Sequence, residues 1–449
     1  MIQRGVFKAN DIRGVVSGDG IEWDLDGARA VGAAFADAFE LDGKEFVMSH
    51  DMRSGGPELA AAFADGAMSR GADVVDIGLA STDGLWFASG HLGMPGVQFT
   101  ASHNPAAYNG VKFCRSDAAP VTPDLMARIQ ELTYAELPAH PGGGTLRHLD
   151  LLDAYAERLH SLVNLDGMRR LKVVVDAGNG MAGYTTPAVL GPLNVELVEL
   201  FTELDGSFPN HPPNPLEPAN LVDAQRAVVE TGADVALVFD GDADRCFIID
   251  ERGEVVSPSL ITAMIAHAEL QREPGATIVV NSITSRAVAE VVAAAGGKLA
   301  VSQVGHTRMK ALMAEHHAIF GGEHSAHYYF RDFWGADTGM LAALHVLAML
   351  GKAESVSALV AQLPSYAASG EINSTVENPA VIMEAVAAEL GVLGEVSWSD
   401  GLLINADHWW VSVRESNTEP LLRLNVEAKD EATVARLRDS ALAIIRKER

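Results

Sequence analysis

The chain has 449 residues, 48% of them hydrophobic, which is too long for one core and apolar enough for several, so wholesale disorder is excluded. A formal charge of -27 argues against nucleic acid or an acidic membrane surface as the main partner. Two cysteines, Cys114 and Cys246, rule out a disulfide framework and predict reduced thiols in a cytoplasmic protein.

The first residues, Met1-Ile-Gln-Arg-Gly-Val-Phe-Lys8, carry no signal-peptide core. Hydrophobic spacing predicts a helix over 28–39, a strand over 45–49, a glycine-closed helix over 58–71 and a strand over 73–77. The apolar run 96–99 leads into Thr100-Ala-Ser-His-Asn-Pro105, where Asn-Pro turns the chain sharply behind Ser102. Tyr108-Asn-Gly110 reads as a hairpin turn that folds Lys112 back towards Ser102. Pro141-Gly-Gly-Gly144 reads as a linker, followed by a helix over 151–162 and a strand over 171–176. The proline-rich stretch 209–218 reads as a packed, irregular loop. The strand 234–239 runs into Asp240-Gly-Asp-Ala-Asp-Arg245, and Glu251-Arg-Gly-Glu254 reads as a domain boundary. The run 318–320 leads into Gly321-Gly-Glu-His-Ser-Ala-His327. The run 340–350 is too short to span a bilayer, and 365–370 reads as the last boundary. The strand 409–414 ends in Glu415-Ser-Asn-Thr-Glu-Pro420.

This alternation predicts βαβ units and an α/β fold. The expected domains are 1–148, 149–251, 252–367 and 368–449. Three are expected to be similar mixed-sheet α/β units, diverged copies with their polar loops at equivalent strand ends, and the last a smaller, different α+β unit. Four loops, one per domain, are expected to converge on a central cleft.

Three carboxylates at alternate positions, Asp240, Asp242 and Asp244, repel one another, and a hard divalent cation, Mg²⁺ or Ca²⁺, relieves that cost. An EF-hand is excluded, because Arg245 stands where that loop needs glycine and the flanks read as strands. Three aspartates leave a metal short of ligands, and a phosphorylated Ser102 would add an oxygen. Arg414-Glu-Ser-Asn-Thr418 is a dense donor set for a phosphate, or an Asx/Ser turn closed by proline. Glu323, Ser325 and His327 lie on one side of an extended segment and suit vicinal sugar hydroxyls, or form a solvated edge. Arg13 at a glycine turn, and His306 and Lys310, carry weaker signals. His50-Asp-Met-Arg53 reads as structural, a helix cap or a core ion pair.

Taken together, Asp11-Ile-Arg-Gly14, Thr100-Ala-Ser-His-Asn-Pro105, Asp240-Gly-Asp-Ala-Asp-Arg245, Gly322-Glu-His-Ser-Ala-His327 and Arg414-Glu-Ser-Asn-Thr-Glu-Pro420 follow the order of one family. The chain resembles the α-D-phosphohexomutases, in their phosphomannomutase/phosphoglucomutase branch, from Phe7 to about Pro420. The resemblance implies that Ser102 carries the transferable phosphoryl group and that Asp240, Asp242 and Asp244 hold Mg²⁺ with it. Glu323 and Ser325 match the residues on the sugar 3- and 4-hydroxyls. Arg414, Ser416, Asn417 and Thr418 match the clamp on the non-reacting phosphate. Arg13, His103, Lys112, Arg245, His306, Lys310 and His327 fall to the ring around the reacting centre and substrate, with Lys112 first and His306 second as general acid–base.

The implied partners are mannose or glucose 1- and 6-phosphates, with hexose 1,6-bisphosphate as activator, no nucleic acid or membrane, and a monomer or homodimer. Asn10 stands in place of a tyrosine, the run Asn281-Ser-Ile-Thr-Ser-Arg286 lacks a lysine, and Ala243 replaces a commoner glycine, which is expected to be harmless. A phosphoglucosamine mutase, and a silent sugar-phosphate-binding protein, are the rival readings.

Overall fold

A computed structural model describes residues 1–415 and 421–447. Four sheets follow one another along the chain. The first runs Asp11–Val15, Tyr108–Cys114, Gly96–Phe99, Glu45–His50, Asp73–Leu79, Leu146–His148 across its width. The second runs Val255–Val256, Cys246–Asp250, Val235–Phe239, Leu171–Asp176, Val195–Leu200. The third runs Lys298–Ser302, Thr277–Asn281, Phe320–Gly322, Tyr328–Phe330, Ala336–Asp337.

These three share one plan. A central strand, Glu45–His50, Leu171–Asp176 or Thr277–Asn281, lies between two parallel neighbours. One neighbour then turns back into an antiparallel strand. The turns at that point are the serine, aspartate and glutamate loops, so the three polar loops occupy equivalent places. The fourth sheet is antiparallel throughout and packs under the helices Pro379–Leu390 and Glu431–Ile445, the different α+β unit expected.

Inner parallel strands such as Leu171–Asp176 and Val235–Phe239 are apolar on both faces because helices cover both sides. All five residues of Val235–Phe239 are buried, each large side chain contributing about 1.5–3 kcal/mol. Helix starts follow their caps: Asp24, Ser81, Thr122 and Thr338 each accept a backbone N–H from the first turn. One core spans the second and third units through the apolar helix Gly339–Leu350 and takes in one side of the first, around Leu85 and Phe87; the first unit has a further core of its own, as does the fourth. Among the described residues no helix is long and apolar enough to cross a membrane.

Three expectations change. Asn109 and Gly110 do not form a turn; they lie within the strand Tyr108–Cys114, where a Cβ on Gly110 would sit 2.3 Å from the Ile12 carbonyl oxygen. The glycine serves close strand approach, and Lys112 reaches the cleft by register, opposite Asp11 and Gln98. The Glu251–Glu254 turn joins two strands of one sheet and does not end it. The strand Ala367–Ala368 already belongs to the fourth sheet.

Candidate active site

Ser102 is buried and takes the left-handed conformation, φ 50°. Few non-glycine residues do so, and strained backbone gathers at functional sites. Its Oγ lies 3.0 Å from Asp240 Oδ2 and 3.2 Å from His103 Nδ1. The loop is held from behind by Arg53, whose buried guanidinium donates to the carbonyls of Ser102, Asn104, Pro105 and Tyr108 at 2.7–3.0 Å. A Cβ on Gly241 would lie 2.4 Å from the Ser102 carbonyl oxygen, so glycine lets the aspartate loop press against the serine loop.

In the aspartate loop, Arg245 takes Asp240 through Nε at 2.9 Å and through its NH2 nitrogen at 2.7 Å. That NH2 group also donates to His103 Nδ1 at 2.7 Å. An arginine only donates, so Nδ1 is the acceptor and the His103 ring is neutral, with its proton on Nε2. Burial, then the nearby arginines, push the His103 pKa well below its ordinary value. Lys112 Nζ lies 2.7 Å from Asp242 Oδ2 and 2.6 Å from Asp244 Oδ2. Burial opposes its charge, but the two carboxylates win and hold its pKa above the ordinary value. Asp242 is also buried, yet Lys112 and the Thr82 hydroxyl hold its carboxyl well below the usual range. Burial pushes Asp240 up to about 7, against the pull of Arg245.

One carboxylate oxygen from each of Asp240, Asp242 and Asp244 lies within 4.8 Å of the others. Asp242 Oδ1 and Asp244 Oδ1 are buried without a hydrogen-bond partner. Two orphaned carboxylate oxygens beside a hydroxyl suit a hard divalent cation. Asp244 also groups with His327 and Asp337, but Lys310 already neutralises Asp337 at 2.7 Å.

The glutamate loop is a tight turn and not the extended segment expected. Ala326 takes φ 66°, and Glu323 N–H donates to the His327 carbonyl at 3.0 Å. Glu323 accepts from the Tyr329 hydroxyl at 2.6 Å and from Asn281 Nδ2 at 3.2 Å. Ser325 Oγ lies 2.9 Å from His327 Nδ1, and His327 Nε2 lies 3.6 Å from Asp244 Oδ1. A bridge between Arg245 and His327 ties this loop to the aspartate loop. His306 begins the helix His306–His316; burial and then Lys310 push it down to about 4. Lys310 is buried, with Nζ on Asp337 and 4.5 Å above the Trp86 ring. Arg13 reaches the serine loop through Asn104 Oδ1 at 2.8 Å and pairs with Asp11.

Arg414 stands apart in the fourth unit. Its guanidinium lies 2.9 Å from Glu371 Oε2, and Arg423, opposite it in the sheet, lies 3.1 Å from Glu371 Oε1. Ser416, Asn417 and Thr418 lie outside the described residues. Thr82, Glu371 and Arg423 escaped the sequence reading, while Arg53, read as a core ion pair or helix cap, does pair with buried Asp51 at 3.3 Å and also holds the serine loop. Only Arg423 left a usable signal, being the cross-strand partner of Arg414. Ala243, expected to be harmless, takes φ 61° and is buried, so its Cβ is strained where glycine would be free.

Comparison with known proteins agrees with the order of the four units. The phosphoglucomutase/phosphomannomutase family models match in order: alpha/beta/alpha domain I over residues 4–139, domain II over 153–253, domain III over 257–366 and the C-terminal domain over 371–444. A phosphomannomutase of Salmonella montevideo is 39% identical over 436 residues, 94% of each chain. A protein of Xanthomonas campestris named phosphohexose mutases is 38% identical, covering 97% of this chain and 98% of that one. The crystal structure of a phosphoglucomutase/phosphomannomutase family protein from Burkholderia thailandensis superposes with a TM-score of 0.90 at 34% identity, covering 99% and 98% of the two chains. With all four domains matched in order and two relatives aligned over nearly their whole length, the chain belongs to the phosphoglucomutase/phosphomannomutase family of phosphohexomutases.

Proposed function

We propose that this enzyme is a phosphomannomutase, acting also on glucose phosphates, that interconverts hexose 6-phosphate and hexose 1-phosphate with Ser102 as the phosphoryl carrier. One observation carries the reading. Ser102 Oγ is buried in a strained loop, 3.0 Å from Asp240, facing two aspartates that each keep an oxygen unpartnered. The phosphoryl group passes from Ser102 Oγ to the free hydroxyl of the bound monophosphate, giving a hexose 1,6-bisphosphate and a bare serine. After reorientation, the other phosphate returns to Oγ and the isomeric monophosphate leaves.

Lys112 and His306, the two acid–base candidates, are driven apart in affinity for protons. That separation supports Lys112, held charged, as donor to the departing Oγ, and His306, held neutral, as acceptor of the sugar hydroxyl proton. Both protons return in the second half. Arg245 and Arg13 offset the charge on the moving group, and neutral His103 has an Nε2 hydrogen to donate to it. Glu323, Ser325 and His327 are read as the grip on the sugar. Arg414 with Ser416, Asn417 and Thr418 is read as the grip on the resting phosphate, while Lys310 supports the cleft through Asp337. Asp240, Asp242 and Asp244, with the phosphoserine, would hold Mg²⁺, whose charge offsets that of the transferring group.

Free hexose 1,6-bisphosphate is the activator that recharges a bare Ser102. The same reading has the enzyme in the cytoplasm, as a monomer or homodimer with no nucleic-acid or membrane partner. The names of the Salmonella and Xanthomonas relatives support mannose, and more than one hexose, as substrates.

Intact mass before and after incubation with glucose 1,6-bisphosphate tests the carrier: one phosphoryl group is gained, and it maps to Ser102. Turnover of mannose 1-phosphate, glucose 1-phosphate and glucosamine 1-phosphate tests the substrate. Preference for the amino sugar overturns the assignment, and a chain that binds all three and turns over none is a binding protein.

A further inference from the structure

We infer that Arg53, which touches no reacting atom, is the positioning residue that keeps the Ser102 loop ready for phosphoryl exchange. The inference rests on the reading of Ser102 as carrier.

Arg53 is 1% exposed, and its two terminal nitrogens offer four hydrogens. One nitrogen donates to the carbonyls of Pro105 and Tyr108, both at 3.0 Å, and the other to those of Ser102 and Asn104, both at 2.7 Å. The loop therefore has its carbonyls gathered on one planar cation, a pattern that only a guanidinium's fixed fork can satisfy. The fork is itself fixed. Asp51, also buried, accepts the Arg53 backbone N–H at 2.9 Å and lies 3.3 Å from Nε. The Phe208 ring covers the guanidinium at 5.0 Å, and the backbone of Gly206 lies so near that a Cβ there would be 2.7 Å from Arg53 Cα. Both come from the second unit, so Arg53 is boxed by the unit that supplies the aspartates.

The clamp has a directional consequence. In a planar trans peptide the carbonyl and the next N–H point to opposite sides. Holding the Ser102 carbonyl on Arg53 turns the His103 N–H away from the guanidinium, and that N–H has no acceptor among the described residues. The same bond holds Ser102 at φ 50°, the conformation that sets Oγ beside Asp240. Without the clamp the loop can relax towards commoner backbone angles, and Oγ swings off its line of exchange.

This predicts a fault in transfer, not in sugar recognition. The test measures three quantities in wild type, Arg53→Lys and Arg53→Ala: the rate at which Ser102 gains a phosphoryl group from glucose 1,6-bisphosphate, kcat with KM for the hexose monophosphate, and thermal unfolding. Loading and kcat are expected to fall on the order of 10²-fold per folded molecule, since small misplacement has that effect, while KM stays within about twofold. Millimolar guanidinium is expected to restore part of the loading rate in Arg53→Ala and none in Arg53→Lys. A merely structural arginine would lower the unfolding temperature and leave the folded fraction fully active, and that result overturns the inference. If the Arg53 variants do not fold, Asp51→Asn carries the test. It loosens the anchor while keeping its shape; a selective fall in loading supports the clamp, and wild-type loading defeats it. A wild-type enzyme that accepts no phosphoryl group sinks the carrier reading itself. A loaded wild type beside an equally competent Arg53→Lys sinks only the clamp.

Discussion

The proposed reacting and recognition groups are built differently. At the proposed reacting end, Ser102, Lys112, Asp240, Asp242 and Arg245 are tied together by hydrogen bonds and ion pairs where the first and second units meet. At the recognition end, Arg414 and Arg423 share one carboxylate, Glu371, in a unit with its own core. That unit meets the third through polar contacts, such as Arg286 on the carbonyls of Asp407 and Trp409, and Asp400 on Ser282 and Val304. The difference suits their tasks. Chemistry repeated on the protein's own side chain gains from charges already in place. A ligand that must leave needs cations resting on a partner it can displace, carried by a unit able to move.

Ser102→Ala is the severest test of that separation. Phosphoryl loading is expected to vanish and turnover to fall by more than about 10⁴-fold. Binding of mannose 1-phosphate, followed by calorimetry, is expected to stay within about threefold. Equal loss of binding would show that the two ends are not independent.

Arg414→Lys probes the other end. Lysine keeps the charge and loses the paired donors, and a charge-assisted hydrogen bond contributes about 1.5–3 kcal/mol. KM for the hexose monophosphate is expected to rise roughly 10- to 100-fold, with kcat within about threefold. A fall confined to kcat would place Arg414 with the reacting groups.

Much of this contrast was legible in the sequence, unevenly. The strands Gly96–Phe99 and Leu171–Asp176 match the sequence reading residue for residue, because short apolar runs end there in glycine or polar turns. The aspartates and Ser102 were legible because their spacing is itself chemical. Arg53 was set aside as structural because its partners are carbonyls, which every residue carries and no motif records. Glu371, which holds the recognition end, lies 43 residues before Arg414 and meets it only through sheet pairing. Asn109-Gly110 misled because a turn signal and a site of close strand approach use the same glycine.

The firmness of the reacting end extends to a junction beneath it, and pH tests that. Asp83, in the first unit, accepts from Ser81 of its own unit, from Tyr155 of the second at 2.8 Å and from Thr338 of the third at 2.6 Å. Burial pushes its pKa from 3.8 up to about 6, against these hydrogen bonds. Between those values the folded protein holds the proton and the unfolded chain does not. Asp83 therefore makes stability fall as pH rises from about 4 to about 6, by up to about 3 kcal/mol. Denaturant unfolding of wild type against Asp83→Asn over that window is expected to show this slope in wild type and its loss in the variant. An opposite slope would mean that the junction favours the charged carboxylate.

The smallest effect compares the equivalent loop tips. Ser102, Ala243 and Ala326 each take a left-handed conformation, φ 50°, 61° and 66°. Arg53 holds the first by its carbonyls. Among the described residues no side chain of comparable reach holds Ala243, whose loop is shaped by backbone hydrogen bonds: Ala243 N–H to the Asp240 carbonyl at 3.1 Å, and the N–H groups of Met181 and Thr82 to the carbonyls of Gly241 and Asp242. Alanine in this region costs about 1–2 kcal/mol, and glycine removes that strain while adding roughly 0.5–1 kcal/mol of unfolded-state entropy. Ala243→Gly is thus expected to stabilise the protein by about 0.5–1 kcal/mol, read as a higher denaturant midpoint at unchanged slope. Its turnover should remain near wild type, because Arg245 and Lys112 hold the flanking aspartates whichever residue sits at the tip. A stabilised Ala243→Gly with slowed loading would show that the strain at the tip aims the aspartates, and that the second loop, like the first, depends on a held backbone.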